Sequence, residues 1–359
     1  RAGLLTDECI AFCREKIWLF VAVMCLFQGI TYSEELRRME RAVDPEAFMN
    51  VNELITYKGY PSEQYEVMTE DGYIITINRI PYGTQNQGTS KPVVFLQHGL
   101  LGDASNWVTN LPNNSLGFML ADAGFDVWMG NSRGNRWSRK HQKYSIDQDE
   151  FWAFSFDEMA RFDLPAAINF IVEKTGQEKL YYIGYSQGTT NAFIAFSTMP
   201  ELAQKIKLYF ALAPVTAIKY AKGPATKLLY LPEKVLRVCD ILVLTCSLSI
   251  FFQNRINVYI AQTSAGTSVQ NIVHWSQAIP PVYNIEEMTV PTAVWTGGQD
   301  LLADPKDAAI LLSKTKKLIY HKKIPEWAHL DFIWGLDAPL HVYNEIIDLI
   351  QNSSEDTCE

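Results

Sequence analysis

Residues Gly184-Tyr-Ser-Gln-Gly188 interrupt the chain between two apolar stretches of different character. Leu180 to Ile183 before them reads as a short buried strand, and Thr189 to Phe196 after them has the composition of a packed helix. Gly-x-Ser-x-Gly in a strand–turn–helix context places a serine on a tight, strained turn at the top of a sheet. Glycine is needed on both sides because a side chain there would collide with neighbouring backbone. Ser186 then projects above the sheet beside the free amides that begin a helix. Ser186 is the expected nucleophile, and a strand feeding a helix in this way points to an α/β architecture.

The pentapeptide alone is weak, because Gly130-Asn-Ser-Arg-Gly134 matches it and also follows a strand-like run, Phe125 to Met129. What comes next, Asn135-Arg-Trp-Ser-Arg-Lys-His141, offers no apolar helical face. Ser132 is therefore read as a structural loop residue.

A nucleophilic serine needs partners, and the chain supplies them in order. Val93 to Leu96 reads as a buried strand, and Gln97-His-Gly-Leu-Leu-Gly102 follows it. Small residues and free amides after a central strand are what an oxyanion hole requires. The backbone N–H of Leu100 is the expected donor from this loop, and that of Gln187 the second. His98, just before the loop, is read as a structural hydrogen-bonding residue. Thr292 to Thr296 is a late strand, and Asp300 in the loop behind it is the expected orienting carboxylate, with Asp304 read as a turn or helix-capping residue before Pro305. Leu318 to Pro325 reads as the last strand, and His329 beyond it is the expected base. Asp331 lies too near His329 in sequence to reach the far side of its ring; His321 falls inside the strand, His341 on the closing helix and His274 elsewhere. Oxyanion loop, serine, acid, histidine is the chain order of α/β hydrolases, distinct from the two common serine-protease orders.

The remaining stretches frame this core. With 359 residues, 48% hydrophobic and 20% charged, the chain has enough apolar material for a large core. Its net charge of −9 carries no extended basic stripe, which argues against a nucleic-acid partner. Six cysteines in this length make no disulfide scaffold. Residues 1–33 read as an N-terminal extension and a secretory signal: Ile17 to Phe27 is apolar but far short of the roughly 20 residues a bilayer span needs. Residues 34–214 and 290–352 read as the two parts of the core, 215–289 as a cap insertion over the sheet's carboxyl edge, and 353–359 as a polar tail. Asp44 to Ile55 looks helical, Tyr65 to Ile80 a hairpin turning at Glu70-Asp-Gly72, and Phe151 to Phe170 a helix interrupted near Pro165. Asp157, Glu158 and Asp163 on that helix read as a solvated face. The apolar block Ile241 to Phe252 is either a packed helix of the insertion or a substrate-facing surface, and is too short to span a membrane. Asn113-Asn-Ser115 and Asn352-Ser-Ser354 are glycosylation sequons. Neither a metal nor an organic cofactor is called for.

Ile55-Thr-Tyr-Lys-Gly-Tyr-Pro61, Leu96-Gln-His-Gly-Leu100, Leu111-Pro-Asn-Asn-Ser-Leu116, Ala265-Gly-Thr-Ser-Val-Gln270, Gly297-Gly-Gln-Asp-Leu-Leu-Ala-Asp-Pro305 and His329-Leu-Asp-Phe332 together resemble the mammalian acid lipases, the family of gastric and lysosomal acid lipase. The resemblance runs from about residue 44 to 350. It implies an α/β-hydrolase fold with a mostly parallel sheet, and a secreted, glycosylated hydrolase of neutral-lipid esters acting at a micelle or membrane interface, with the lysosome as the alternative destination. The family's nucleophile, acid and base fall on Ser186, Asp300 and His329, and its oxyanion donors on Leu100 and Gln187. Two features depart from the family. Tyr185 stands where most relatives have His. The insertion passes directly from Ile241–Phe252 to Asn254, and from Trp275-Ser-Gln-Ala-Ile279 to Pro280, where relatives carry several tens more residues. Cys246 matches a family disulfide cysteine, with Cys239 its candidate partner here. A shortened cap leaves open a hydrolase of small soluble esters, or a catalytically impaired lipid-binding protein.

Overall fold

The computed structural model describes residues 44–84, 91–221, 255–263, 265–276 and 283–355. The signal segment at residues 1–33, the Cys239–Cys246 pair, the Ile241–Phe252 block and the end of the polar tail lie outside the described residues. The chain divides into a unit of residues 1–47, of which 44–47 are described and enter a short 3-10 turn, and a unit from Phe48 to Glu359 that holds the sheet and the residues of the site.

Among the described residues, nine strands form one sheet. In chain order they are β1 (Glu63–Met68), β2 (Tyr73–Ile80), β3 (Val93–Gln97), β4 (Asp126–Gly130), β5 (Lys140–His141), β6 (Leu180–Tyr185), β7 (Ile206–Leu212), β8 (Thr292–Gly297) and β9 (Leu318–Ile324). The spatial order is β1-β2-β4-β3-β6-β7-β8-β9, with β5 paired to β2. The β1–β2 hairpin and the β2–β4 pairing are antiparallel; every pairing from β4 to β9 is parallel. The hairpin turns as expected, through Gly72 at φ +96°.

Alternation along the strands explains why β3, β6 and β7 read as continuous apolar runs. Val94 and Leu96 of β3, Ile183 of β6 and Phe210 of β7 pack with the helices Val51–Tyr57, Leu116–Asp122 and Asn344–Glu355. Val93, Phe95, Tyr182 and Tyr209 pack instead with Leu164–Thr175, Gln187–Thr198 and Pro305–Lys314. The sheet is buried on both faces, so neither side-chain set needs to be polar.

Two helical expectations require correction. The stretch from Asp44 to Ile55 is two elements, a 3-10 turn Pro45–Phe48 and the helix Val51–Tyr57. Asn50 restarts the chain with a capping box, accepting the Glu53 N–H while the Glu53 carboxylate accepts that of Asn50. The aromatic stretch is likewise broken into a 3-10 turn Asp149–Trp152, a helical turn Phe156–Glu158, a π-turn Met159–Asp163 and the helix Leu164–Thr175. Pro165 follows directly on the π-turn, where the Leu164 N–H reaches back to Met159 O and the widened turn accommodates a residue with no N–H to give.

Asp163 is the second correction to that stretch. It is 6% exposed, not part of a solvated face. Its carboxylate accepts the Arg133 backbone N–H at 2.9 Å and the Arg133 Nε at 2.8 Å, while the other end of that guanidinium meets Asp71 at 2.5 Å. Burial pulls the Arg133 guanidinium down, but the Asp163 and Asp71 carboxylates outweigh it and leave the group firmly cationic. Asp157 and Glu158 are partly exposed and also engaged, Asp157 by Arg161 and the Tyr283 hydroxyl, Glu158 in a capping box with Ser155.

Candidate active site

β6 runs straight into Ser186, which adopts φ +52°, ψ −121°, outside the usual regions for a residue with a side chain. Its N–H is held by Leu212 O at 3.0 Å, and the helix Gln187–Thr198 starts at once. The flanking glycines have a steric reason. A Cβ on Gly184 would lie 2.8 Å from the Gly188 carbonyl, and one on Gly188 would lie 2.3 Å from Gln97 O. A Cβ on Gly99 would meet the Ser186 Cβ at 2.8 Å, so the loop after β3 is packed directly against the serine.

The carboxyl ends of β8 and β9 complete the constellation. His329 Nε2 lies 2.7 Å from Ser186 Oγ, and His329 Nδ1 lies 2.8 Å from Asp300 Oδ2. The other Asp300 oxygen accepts the N–H groups of Leu302 and Ala303 at 2.9 and 2.8 Å. Asp300 is 1% exposed, and Ser186 and His329 are 8% exposed each. A carboxylate oxygen accepts, so Nδ1 carries the imidazole proton and Nε2 is left to accept from the serine hydroxyl. Three groups 143 and 29 residues apart thus form one oriented hydrogen-bond chain.

Among the described residues, the backbone amides of Leu100 and Gln187 have no protein acceptor, although the loop amide of Gly102 bonds to Gly99 O at 3.1 Å. Both belong to residues next to groups that pack on Ser186. The loop is itself constrained, with Leu101 at φ +60°.

The other residues weighed from sequence lie apart from this chain of bonds. Ser132 Oγ accepts from Gln97 Nε2 at 3.0 Å, and its N–H donates to His98 Nε2 at 3.0 Å. His98 Nδ1 bonds to Gly99 O at 2.7 Å, so this ring is a buried brace under the loop, and burial pushes its pKa down. Asp304 caps the helix Pro305–Lys314 through the Lys306 N–H. Asp331 accepts the Ala328 N–H at 2.7 Å, and burial raises its pKa. His321 meets the Thr296 hydroxyl, and His274 the Ser155 hydroxyl. His341 sits on the helical turn 3.6 Å from Asp337. Asn113 is exposed in the turn Pro112–Asn114, and Asn352 is exposed on the last helix.

Some contributors gave no sequence signal. The Tyr185 hydroxyl donates to the His329 carbonyl at 3.1 Å, and its ring lies 5.2 Å from the imidazole. The Gln187 side chain, read for its backbone alone, is buried among Met159, Asn271 and Trp275.

Two family profiles match, a partial alpha/beta-hydrolase lipase region over residues 51–111 and the alpha/beta hydrolase fold over residues 92–230. Lipase member M of Mus musculus is 56% identical, covering 96% of both chains. The chain belongs to the acid lipase family of α/β hydrolases. Human lysosomal acid lipase/cholesteryl ester hydrolase, another acid lipase, is 51% identical over 92% of this chain and 97% of its own. The alignment to lipase member M runs to 408 positions against the 359 residues here, so that acid lipase carries segments with no counterpart in this chain. A thermophilic esterase from Thermogutta terrifontis superposes with a TM-score of 0.55 at 17% identity, over 81% of this chain and 99% of that one, and shares the fold. Among the described residues, no helix is long and apolar enough to cross a membrane, and no group of three or more His, Cys, Asp or Glu side chains could hold a metal.

Proposed function

We propose that this chain is a serine hydrolase of carboxylic esters, with neutral lipid esters as its substrate class, acting through an acyl-enzyme. The observation that carries the reading is the continuous bond chain Ser186–His329–Asp300, at 2.7 and 2.8 Å, at the carboxyl edge of the sheet. Ser186 Oγ attacks the ester carbonyl while His329 Nε2 takes its proton. The carbonyl electrons move onto oxygen, and the amides of Leu100 and Gln187 stabilise that oxyanion. Collapse of the tetrahedral intermediate breaks the bond to the alcohol, which leaves with the proton from His329. Water then attacks the acyl-enzyme by the same route, returning the proton to Ser186 as the acid departs. Asp300 holds the imidazole in the productive tautomer and balances its transient charge.

Residues 215–289 act as a cap that shapes the acyl site. The names of the relatives, a cholesteryl ester hydrolase among them, support a lipid ester as substrate. Export through a cleaved signal, with Asn113 and Asn352 glycosylated, accompanies this reading; extracellular release is favoured and the lysosome is the alternative. A second reading, a hydrolase of small soluble esters, is favoured by one observation: the acid lipase segments without counterpart here. Secretion from a mammalian cell, followed by turnover of a short p-nitrophenyl ester and an emulsified triacylglycerol, separates the two. Turnover of both, lost in Ser186→Ala, supports the lipid reading; turnover of the short ester alone supports the second. Turnover of neither overturns both.

A further inference from the structure

The residue after the nucleophile has to contribute a backbone N–H in the mechanism above, and any side chain could accompany it. Here the side chain is a buried amide whose Nε2 donates to Met159 Sδ and whose Oε1 is bonded from the stretch between β7 and β8. Gln187 Oε1 accepts the indole N–H of Trp275 at 2.7 Å and the amide of Asn271 at 3.0 Å. Asn271 is fully buried and fixed in turn: its Oδ1 accepts the Phe156 N–H at 2.8 Å, and its N–H donates to Ser268 Oγ at 2.9 Å. Trp275 packs on Phe156 with ring centroids 4.7 Å apart.

The other side of the oxyanion site is tied to the same stretch. The Ala265 N–H donates to Leu101 O at 2.9 Å, and Ala265 O accepts the Arg136 N–H at 2.7 Å. Leu101 is the strained residue directly after Leu100. Both donor-bearing loops are therefore pinned from Ala265–Trp275, and the bonds to Gln187 are buried and so costly to leave unmade.

We infer that Asn271 and Trp275 are positioning residues for the oxyanion hole, which makes the cap segment Ala265–Trp275 part of the catalytic geometry as well as a cover over it. The inference rests on the hydrolase reading above. Asn271 and Trp275 touch no reacting atom; they act by holding Gln187, and a donor displaced by a fraction of an ångström loses much of its worth in the transition state.

Asn271→Asp tests this with little change of shape. The carboxylate still accepts the Phe156 N–H but offers no donor to Gln187 Oε1. If the Gln187 amide flips to face it, its NH₂ group is then turned toward the Trp275 N–H. Either orientation leaves a mismatch. The expected result is a kcat per active site about 10- to 100-fold lower on a short p-nitrophenyl ester. KM and the pH profile should stay unchanged, and a trifluoromethyl ketone inhibitor should weaken by the same factor. Active sites are counted by fluorophosphonate titration, so a merely misfolded fraction does not register. Trp275→Phe removes the second donor and should cost several-fold on its own. In Asn271→Asp/Trp275→Phe the flipped amide meets no opposing N–H, so the double variant should be more active than Asn271→Asp. An unchanged kcat per site in both single variants overturns the inference while leaving the hydrolase reading intact. Turnover that survives in Ser186→Ala overturns that reading and the inference with it.

Discussion

Replacing Asp300 by Asn should abolish most activity without loosening the fold, and the reason lies in which atoms surround the carboxylate. One Asp300 oxygen accepts two backbone amides, from Leu302 and Ala303, at 2.9 and 2.8 Å. In Asp300→Asn those amides demand an acceptor, so the amide oxygen must take that position and the NH₂ group must face His329 at the position now 2.8 Å from Nδ1. Nδ1 then has to accept, which moves the imidazole proton to Nε2. That nitrogen can no longer take the proton from Ser186, 2.7 Å away. A wrong tautomer in an otherwise intact triad costs about 10⁴ in kcat. The two backbone bonds survive, so the stability change should stay near 1 kcal/mol, the worth of one hydrogen bond. Per-site kcat on a p-nitrophenyl ester, together with urea unfolding, reads both numbers. A variant that keeps more than a tenth of wild-type kcat, or that unfolds outright, refutes the tautomer argument.

Three further outcomes follow from the same geometry. Gly188→Ala sets a Cβ 2.3 Å from Gln97 O and 2.8 Å from His98 O, both backbone atoms, so the helix start must shift; kcat per site should fall at least ~100-fold and stability by about 1–3 kcal/mol in urea. Arg133→Met leaves Asp163 buried without its cation and should cost about 3–5 kcal/mol in urea unfolding, partly recovered in Arg133→Met/Asp163→Leu; a loss under about 1 kcal/mol contradicts the ion-pair account. His98 is held below its ordinary value of 6.5 by burial, with Nε2 accepting the Ser132 N–H, so its neutral form stabilises the fold above that value and the contribution is lost as pH falls through the lowered pKa. His98→Gln should therefore lower stability by about 1–3 kcal/mol at neutral pH, with the gap to wild type narrowing in melts at about pH 5.

How much of this was legible in the sequence depended on the range of the contacts concerned. β6, the turn at Ser186 and the following helix are local, and Gly184 and Gly188 announce the turn because only glycine fits there. Asp300 and His329 were legible through chain order and the strands before them, since the carboxyl end of each strand delivers its loop to the same edge. Asp163 was misread because its partner, Arg133, is 30 residues away and belongs to a loop that resembled a second nucleophile turn. Periodicity locates a helix face; it does not say whether a cation waits opposite it. The break at Asn50 was hidden by a continuous helical composition, although Asn50 and Glu53 form a capping pair. The grip of Asn271 and Trp275 on Gln187 spans 84 and 88 residues, and no local pattern encodes it.

The central claim is that Ser186 is an activated nucleophile. A fluorophosphonate probe tests it directly, because phosphonylation needs a serine whose proton His329 can take and an oxyanion site to receive the developing charge. The account predicts stoichiometric labelling of the secreted chain, mapped by mass spectrometry to the Ser186 peptide, absent in Ser186→Ala and matched by loss of ester turnover. No labelling of the folded chain, or labelling at Ser132 or elsewhere with Ser186 untouched, would contradict it.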